Sequence, residues 1–441
     1  MPRWTVDRVL GLAPDPASRA AARRLARPGP WSETGSTESL VWGKCQGSGK
    51  APYQVTVDLT EPAFRCTCPS RKVPCKHGLA LLLLWAAGKG DVAQAAEAAP
   101  FAGEWAGERA GRAAGQAARR AAGSATSTDP EAAEAAAARA ARREETMTAG
   151  LASFDVWLTD LVRSGLGAAR RQPYRFWDEA AARLVDAQVP GLADRVRGAA
   201  GLVARPGDWA APLLTELGRW FAAVRAWGRR AALPTPVAAD LLTFLGVARR
   251  RDDVMAAGGV RDRWHVLGVR LGGDDRIRSQ RTWLAAESTG ELVLLLDFAA
   301  AGATLQVAGV TGTIVDATVA RYPGGAPPRG LFTGDQRVVP GAAFVPDATD
   351  IAGLLDRRAT WLAGNPWLDR VPAALVGAPT LVDGRAWFVD AAGAALPIAD
   401  DLDPWPLLAL TGGGRTTLLG ELEHGTLHPA TVTVDDELVP L

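Results

Sequence analysis

At 441 residues the chain has room for about three domains of ordinary size, each able to bury a core. Hydrophobic residues make up 48% and charged residues 22%, values of an ordinary globular protein, and four clustered cysteines exclude a disulfide-stapled secreted scaffold. The net charge of +1 does not exclude a polyanion partner, because it sums unlike parts: residues 1–90 hold 13 basic and 6 acidic side chains, 91–290 hold 28 and 24, and 291–441 hold 8 and 18.

The N-terminus, MPRWTVDRVLGLAPDPAS, lacks the continuous apolar core of a secretory signal. The most apolar run, Leu79 to Ala87, is about half the length that spans a bilayer. The expectation is a cytoplasmic protein with no membrane segment. From Trp31 to Gly90 the pattern predicts strand, strand, helix. Tyr53, Val55, Val57 and Leu59 alternate with polar residues, Glu61-Pro62 marks a turn, and Ala63 to Cys68 returns as the second strand. A short, largely buried helix follows from Gly78, closed by Gly88 and Gly90. All five lysines of the chain, Lys44, Lys50, Lys72, Lys76 and Lys89, fall in this segment.

Residues 91–148 are rich in Ala, Gly, Glu and Arg; Ser124 to Pro130 is a linker signature, and Glu131 to Arg143 has helix propensity without an apolar stripe. This predicts a flexible tether ending in a solvated helix. From 149 to 258 helical periodicity is strong: Phe154, Trp157, Leu158 and Leu161 form one stripe, and Leu213, Leu214, Leu217, Trp220, Phe221 and Val224 another. From 259 to 441 the pattern is of strands, with an apolar run at Leu292 to Leu296 and a β-branched run at Thr313 to Val319. Hairpin turns are read at Asp383-Gly384 and Asp435-Asp436.

One motif carries chemistry. Cys66-Thr-Cys68-Pro-Ser-Arg-Lys-Val-Pro-Cys75-Lys-His77 has the form C-x-C-x6-C-x-H. Three thiolates and one imidazole suit a tetrahedral zinc ion. The first pair chelates from the end of a hairpin. The second chelates from the loop entering the helix, whose first-turn N–H groups favour an anionic cluster. With four protein ligands no position is left for an activated water, so the zinc is expected to be structural, worth roughly 10–16 kcal/mol to the folding of so small a module. Lys44, Lys50, Arg65, Arg71, Lys72 and Lys76 surround the ligands. They form a basic rim that either neutralises phosphates of DNA or other nucleic acid or offsets thiolate charge.

The motif and its flanks resemble the SWIM-type zinc finger of bacterial proteins: Cys45-Gln-Gly-Ser-Gly before Tyr53-Gln-Val, then Phe64-Arg-Cys66, then Cys75-Lys-His77-Gly-Leu and a leucine run. The resemblance covers about residues 40–87 and extends more loosely to Leu12–Asp15 and to the helical region from near Ala152. It implies zinc on Cys66, Cys68, Cys75 and His77, a role in binding DNA or protein partners, and association with AAA-type ATPase and von Willebrand-type partners; RNA is a further candidate partner of the basic rim. The fold class expected is α+β and multidomain: a small N-terminal ββα zinc-bound SWIM-type module (1–90), a linker (91–148), a central α-helical domain (149–258) and a C-terminal antiparallel β-rich domain (259–441).

Other signals read more simply. Cys45 is a small core residue, and Gly47-Ser-Gly-Lys50 lacks the first glycine and the Ser/Thr of a P-loop. His424 and His428 are four apart, but Gly425 and Pro429 oppose the helix that would pair them. His265 reads as a partly buried structural histidine, and the acidic C-terminal third shows no acid/base pair. No nucleophile elbow, zinc-protease pair, kinase set or dinucleotide fingerprint appears. The expected function is therefore a zinc-binding interaction protein, not an enzyme, acting on nucleic acid; the alternative is a protein–protein adaptor. An enzyme with a cleft between the helical and β domains is a distant third.

Overall fold

The computed structural model describes the chain outside residues 1–3, 5, 11, 14–15, 48–50, 60–62, 71, 73, 89, 110, 112–129, 206, 208, 248, 274–276, 301–308 and 343. Its N-terminal unit begins with helices α1 (Val6–Leu10) and α2 (Pro16–Leu25), followed by strands β1 (Trp31–Ser36), β2 (Leu40–Cys45), β3 (Tyr53–Asp58) and β4 (Ala63–Cys66). Helix α3 (Lys76–Ala86) and the short β5 (Ala93–Gln94) complete a sheet-and-helix unit of strand order β4-β3-β2-β1-β5. Helix α3 is apolar on every side and buried from His77 to Leu84, so it must be wrapped. The sheet covers one side of it and α1 and α2 the other, around a core of Val9, Ala22, Val41, Val55, Leu79 and Leu82.

The predicted strand, strand, helix is present as β3, β4 and α3, but two strands precede it. Strand β2 alternates poorly because it is covered on both faces: Val41 and Cys45 face α3, while Leu40 and Trp42 pack under Ala102 and Trp105. Strand β1 is interrupted by a register shift between Ser32 and Gly35, which breaks its period. The residues of that second covering lie in α4 (100–109). The start of the 91–148 segment, expected to be tether, is therefore part of the N-terminal unit: Trp105 is 8% exposed, and Arg109 pairs with Asp58 at 3.6 Å. The Ser124–Pro130 linker signature lies outside the described residues except for Pro130, which opens a long helix that also holds Glu131 to Arg143.

The central unit is helical: α5 (Pro130–Ser164), α6 (Leu166–Arg170), α7 (Tyr174–Asp186), α8 (Pro190–Ala204), α9 (Ala210–Trp227) and α10 (Thr235–Leu245). Phe154, Leu158, Leu161, Trp177, Leu217 and Trp220 meet in its core. Two residues of the predicted α9 stripe do not: Leu214 is 60% and Phe221 48% exposed, because α9 presents to the core only the narrower row through Leu213, Leu217, Trp220 and Ala223.

After the short α11 (Arg251–Ala256), the expected single β domain resolves into two units. The first is a closed barrel of β6 (Val260–Gly273), β7 (Ile277–Ala286), β8 (Leu292–Ala300), β9 (Ile314–Arg321) and β10 (Arg329–Val339). Four strands take the Greek-key order β9-β6-β7-β8, and β10 closes the barrel antiparallel to β9 and parallel to β8. The other pairs of the barrel are antiparallel, as expected. Five strands in this order are the topology of an OB-type barrel. The second unit is a six-stranded antiparallel sheet with two helices, α12 (Ile351–Gly364) and α13 (Pro404–Thr411). Its strands are β11 (Arg370–Val382), β12 (Arg385–Val389), β13 (Ala395–Pro397), β14 (Thr416–Glu423), β15 (Thr426–Val434) and β16 (Glu437–Pro440). Both predicted hairpin turns are present, with Asp383, Gly384, Asp435 and Asp436 at positive φ.

Buried ion pairs join these units. Arg195 of α8 holds Asp369 in a two-point contact, and Arg219 of α9 donates to Glu216 at 2.7 Å and to Asp369 at 3.0 Å. Glu421 of β14, fully buried, accepts from Arg281 (2.7 Å) and Trp283 (2.8 Å) of the barrel. The N-terminal unit meets the β units through α1 against β16 and through Val310, which enters the core around α3.

Burial pushes the Glu216 carboxyl up, but the His424 hydrogen bond and the charges of Arg195 and Arg219 outweigh it and hold the group at about 2. Its stabilising contribution is thus complete at neutral pH and is lost as pH falls from its ordinary 4.5 through about 2. Replacing Glu216 by Gln leaves Arg219 buried with less compensation, so Glu216→Gln should cost about 3–5 kcal/mol at neutral pH. Chemical denaturation at pH 7 and pH 3 should show the gap between the two proteins narrowing on acidification.

Candidate metal centre

Strand β4 ends at Cys66, the chain turns through Cys68, and Cys75 occupies the N-cap position of α3 in extended backbone (φ −77°, ψ 166°), with His77 in the helix's first turn. Hairpin and helix thus deliver the two ligand pairs to one point. The three Sγ atoms and a His77 ring nitrogen all lie within 4.8 Å of one another, and Cys66 Sγ is 3.8 Å from His77 Nδ1. A tetrahedral zinc with Zn–S near 2.3 Å requires ligand separations of about 3.8 Å, so the donors sit where four-coordination needs them with little movement.

Backbone donors favour thiolate. Backbone N–H groups of His77 and Gly78 donate to Cys75, that of Ser70 to Cys68, and that of Cys68 to Cys66. A hydrogen bond from Cys66 is the main cause that lowers the Cys75 thiol to about 4, while Cys66, which keeps that proton, is driven far up. Burial pushes Cys68 up as well. Without a cation the cluster cannot carry three negative charges, and it distributes protons instead; a divalent ion replaces them.

Tyr53, on β3, lies against the His77 ring with centroids 5.1 Å apart and orients it. A Cβ on Gly78 would stand 3.0 Å from the Phe64 ring, so glycine allows α3 to start directly against β4. Neither support was legible from ligand spacing, although the apolar period of β3 places Tyr53 on the face of Val55 and Val57.

The rim residues separate. Lys72 and Lys76 are exposed beside the ligands. Lys44 is half-buried, paired with Glu33 at 2.8 Å and 5.8 Å from the Phe101 ring of α4. Arg65 is 4.0 Å from Glu108, also on α4. Helix α4, absent from the sequence reading, therefore touches two of the six. Lys50 and Arg71 lie outside the described residues. Cys45 is fully buried in the core around α3, as expected, and burial raises its thiol. The remaining histidines serve elsewhere. His265 contacts Glu287 at 3.0 Å and accepts from Phe344 N. His424 lies 3.6 Å from Glu216 and His428 3.4 Å from Glu423, each in its own ion-pair network.

A compact sheet-and-helix unit clasping a Cys3His donor set defines a metal-binding interaction module. Residues 53–86 match the SWIM zinc finger, and residues 142–245 match the SWIM-associated four-helix bundle domain, which corresponds to the bundle from within α5 to α10. The chain thus carries a SWIM zinc finger followed by a SWIM-associated bundle domain, with Cys66, Cys68, Cys75 and His77 placed to hold a metal ion. No curated protein and no solved structure matches it. Among the described residues no helix is long and apolar enough to cross a membrane.

Metal analysis of purified protein should find about one zinc per chain, absent from Cys75→Ser and His77→Ala. Because Cys66 and Cys68 hold protons more tightly than ordinary thiols, loading should release protons and weaken as pH falls; a chelator titration at pH 7.5 and 6 checks the direction.

Proposed function

We propose that this protein is a nucleic-acid-binding protein rather than an enzyme, and that the loop from Cys68 into α3 is its contact surface. The observation that supports it most is the exposure of Lys72 and Lys76 on either side of the buried ligand Cys75. A loop tied down by metal ligands holds its ammonium groups near fixed positions, so phosphates are neutralised at small entropic cost and with little reading of sequence. Lys44, which is half-buried, contributes less.

A second reading, a protein–protein adaptor, draws on the exposure of Leu214 and Phe221, two turns apart on α9. The SWIM resemblance nominates an AAA-type ATPase or a von Willebrand-type protein as the partner.

Anisotropy titrations of the full chain with labelled DNA and RNA, at low and at physiological salt, test the first reading. Lys72→Glu/Lys76→Glu should weaken binding roughly tenfold or more and lower the salt slope by about 2. Binding unchanged in that variant, with partner capture lost in Leu214→Glu/Phe221→Glu, would favour the adaptor.

A further inference from the structure

The OB-type barrel has an outward face on β7 and β8 that the metal centre does not use. Along these strands Gln280, Thr282, Leu284, Val293 and Leu295 point into the barrel. Ser279, Arg281, Trp283, Leu294, Leu296 and Phe298 therefore point out. The C-terminal sheet covers the lower part of that face, packing Ala374, Leu419 and Leu438 against Trp283, with Leu292 and Leu294 beside it. Among the described residues the upper part stays open. There Ser279 is the direct cross-strand neighbour of Phe298, whose ring is 60% exposed.

This open half is one wall of a cleft of about 430 Å³ at the junction of three units, within the size range of small-molecule sites. The bundle supplies the facing wall with Asp240, Phe244 and Arg195, whose guanidinium lies over the Phe244 ring, 4.4 Å from its centroid. The C-terminal sheet supplies Asp369, Arg370 and Glu423.

Charge decides what can enter. The guanidiniums of Arg195, Arg281 and Arg370 are matched in the lining by the carboxyls of Asp240, Asp369 and Glu423, and each arginine is already held by an acidic partner. A balanced cleft gives a polyphosphate backbone no net attraction. Flat apolar and guanidinium surfaces, with hydrogen-bonding groups at their edges, suit a planar, uncharged, polar ring. Asp240, pushed up by burial, is the lining carboxyl not committed to one of these arginines; it accepts from Gly325 N at 2.8 Å. With the other two carboxylates neutralised by arginine, the arrangement is one for binding.

We propose that this cleft binds an unpaired nucleobase against Phe298, delivered either by a single strand or by a free nucleotide. The site is separate from Lys72 and Lys76, and OB-type barrels present this strand pair to such ligands.

The test uses the full-length, zinc-loaded protein carrying Lys72→Glu/Lys76→Glu, so that the metal-module surface does not contribute. Ligands are oligo-dT, an abasic oligomer of equal length, thymidine monophosphate and a malto-oligosaccharide, followed by fluorescence titration. Oligo-dT should bind with weak salt dependence and the abasic strand should not; thymidine monophosphate binding as well as oligo-dT would assign the site to free nucleotides. Phe298→Ala, which removes an exposed ring, should weaken binding at least about fivefold, and Ser279→Trp should block it. Thermal midpoints of both variants verify folding, and Phe298→Ala decides alone if Ser279→Trp unfolds. Equal binding of the abasic strand, indifference to Phe298→Ala, binding of the oligosaccharide alone, or no binding of any ligand would overturn the proposal.

Discussion

The N-terminal third is organised by one helix that cannot tolerate water on any side. Helix α3 runs Leu79 to Leu84 without a polar face, so the chain must surround it, and each piece that does so acquires its position from that requirement. The sheet lies on one side, α1 and α2 on the other, and Val310 reaches in from beyond β8. Because the helix is packed on every side, Cys75 and His77 at its start are held in place relative to Cys66 and Cys68 at the end of the hairpin. The metal centre inherits its geometry from hydrophobic burial, and a bound ion would repay this by pinning the one loop that has little core of its own.

Electrostatics works in the opposite sense elsewhere. Opposite charge surpluses on residues 1–90 and 291–441 invite pairing between the two regions. Lys44 and Arg65 instead pair with Glu33 and Glu108, both within the N-terminal unit, while α1 and Val310 make its apolar contact with the β units. The acidic surplus is partly spent inside the protein: Glu421, Glu423 and Asp369 accept arginines arriving from the barrel, the sheet and the bundle. Two of these carboxylates, Asp369 and Glu421, look like a solvated surface in the sequence but form seams between units, while Glu423 ties two strands of one sheet. Glu421 has no exposed surface at all.

Local chemistry was legible from residue order. Ligands two to eleven residues apart must meet if a hairpin leads into a helix, and the alternation of β3, the stripe on α5 and the two-residue turns at Asp383 and Asp435 each follow from a short-range rule. Strands β1 and β2 were not legible, because a register shift and burial on both faces erase the alternation by which a strand is recognised. Helix α4 was read as tether because its few large side chains, Phe101 and Trp105, make sense only against Leu40 and Trp42 some sixty residues earlier.

The sequence by itself determined the Cys3His donor set, the helical character of the centre and the strand-rich end, since each depends on side-chain type and period over a few residues. Tertiary structure alone decided which lysines remain exposed, that the last third is a closed barrel joined to a sheet, and that three units enclose a charge-balanced cleft. Those outcomes depend on pairing over long separations, where Arg195 meets Asp369 and Arg281 meets Glu421, and no local pattern encodes a partner more than a hundred residues away.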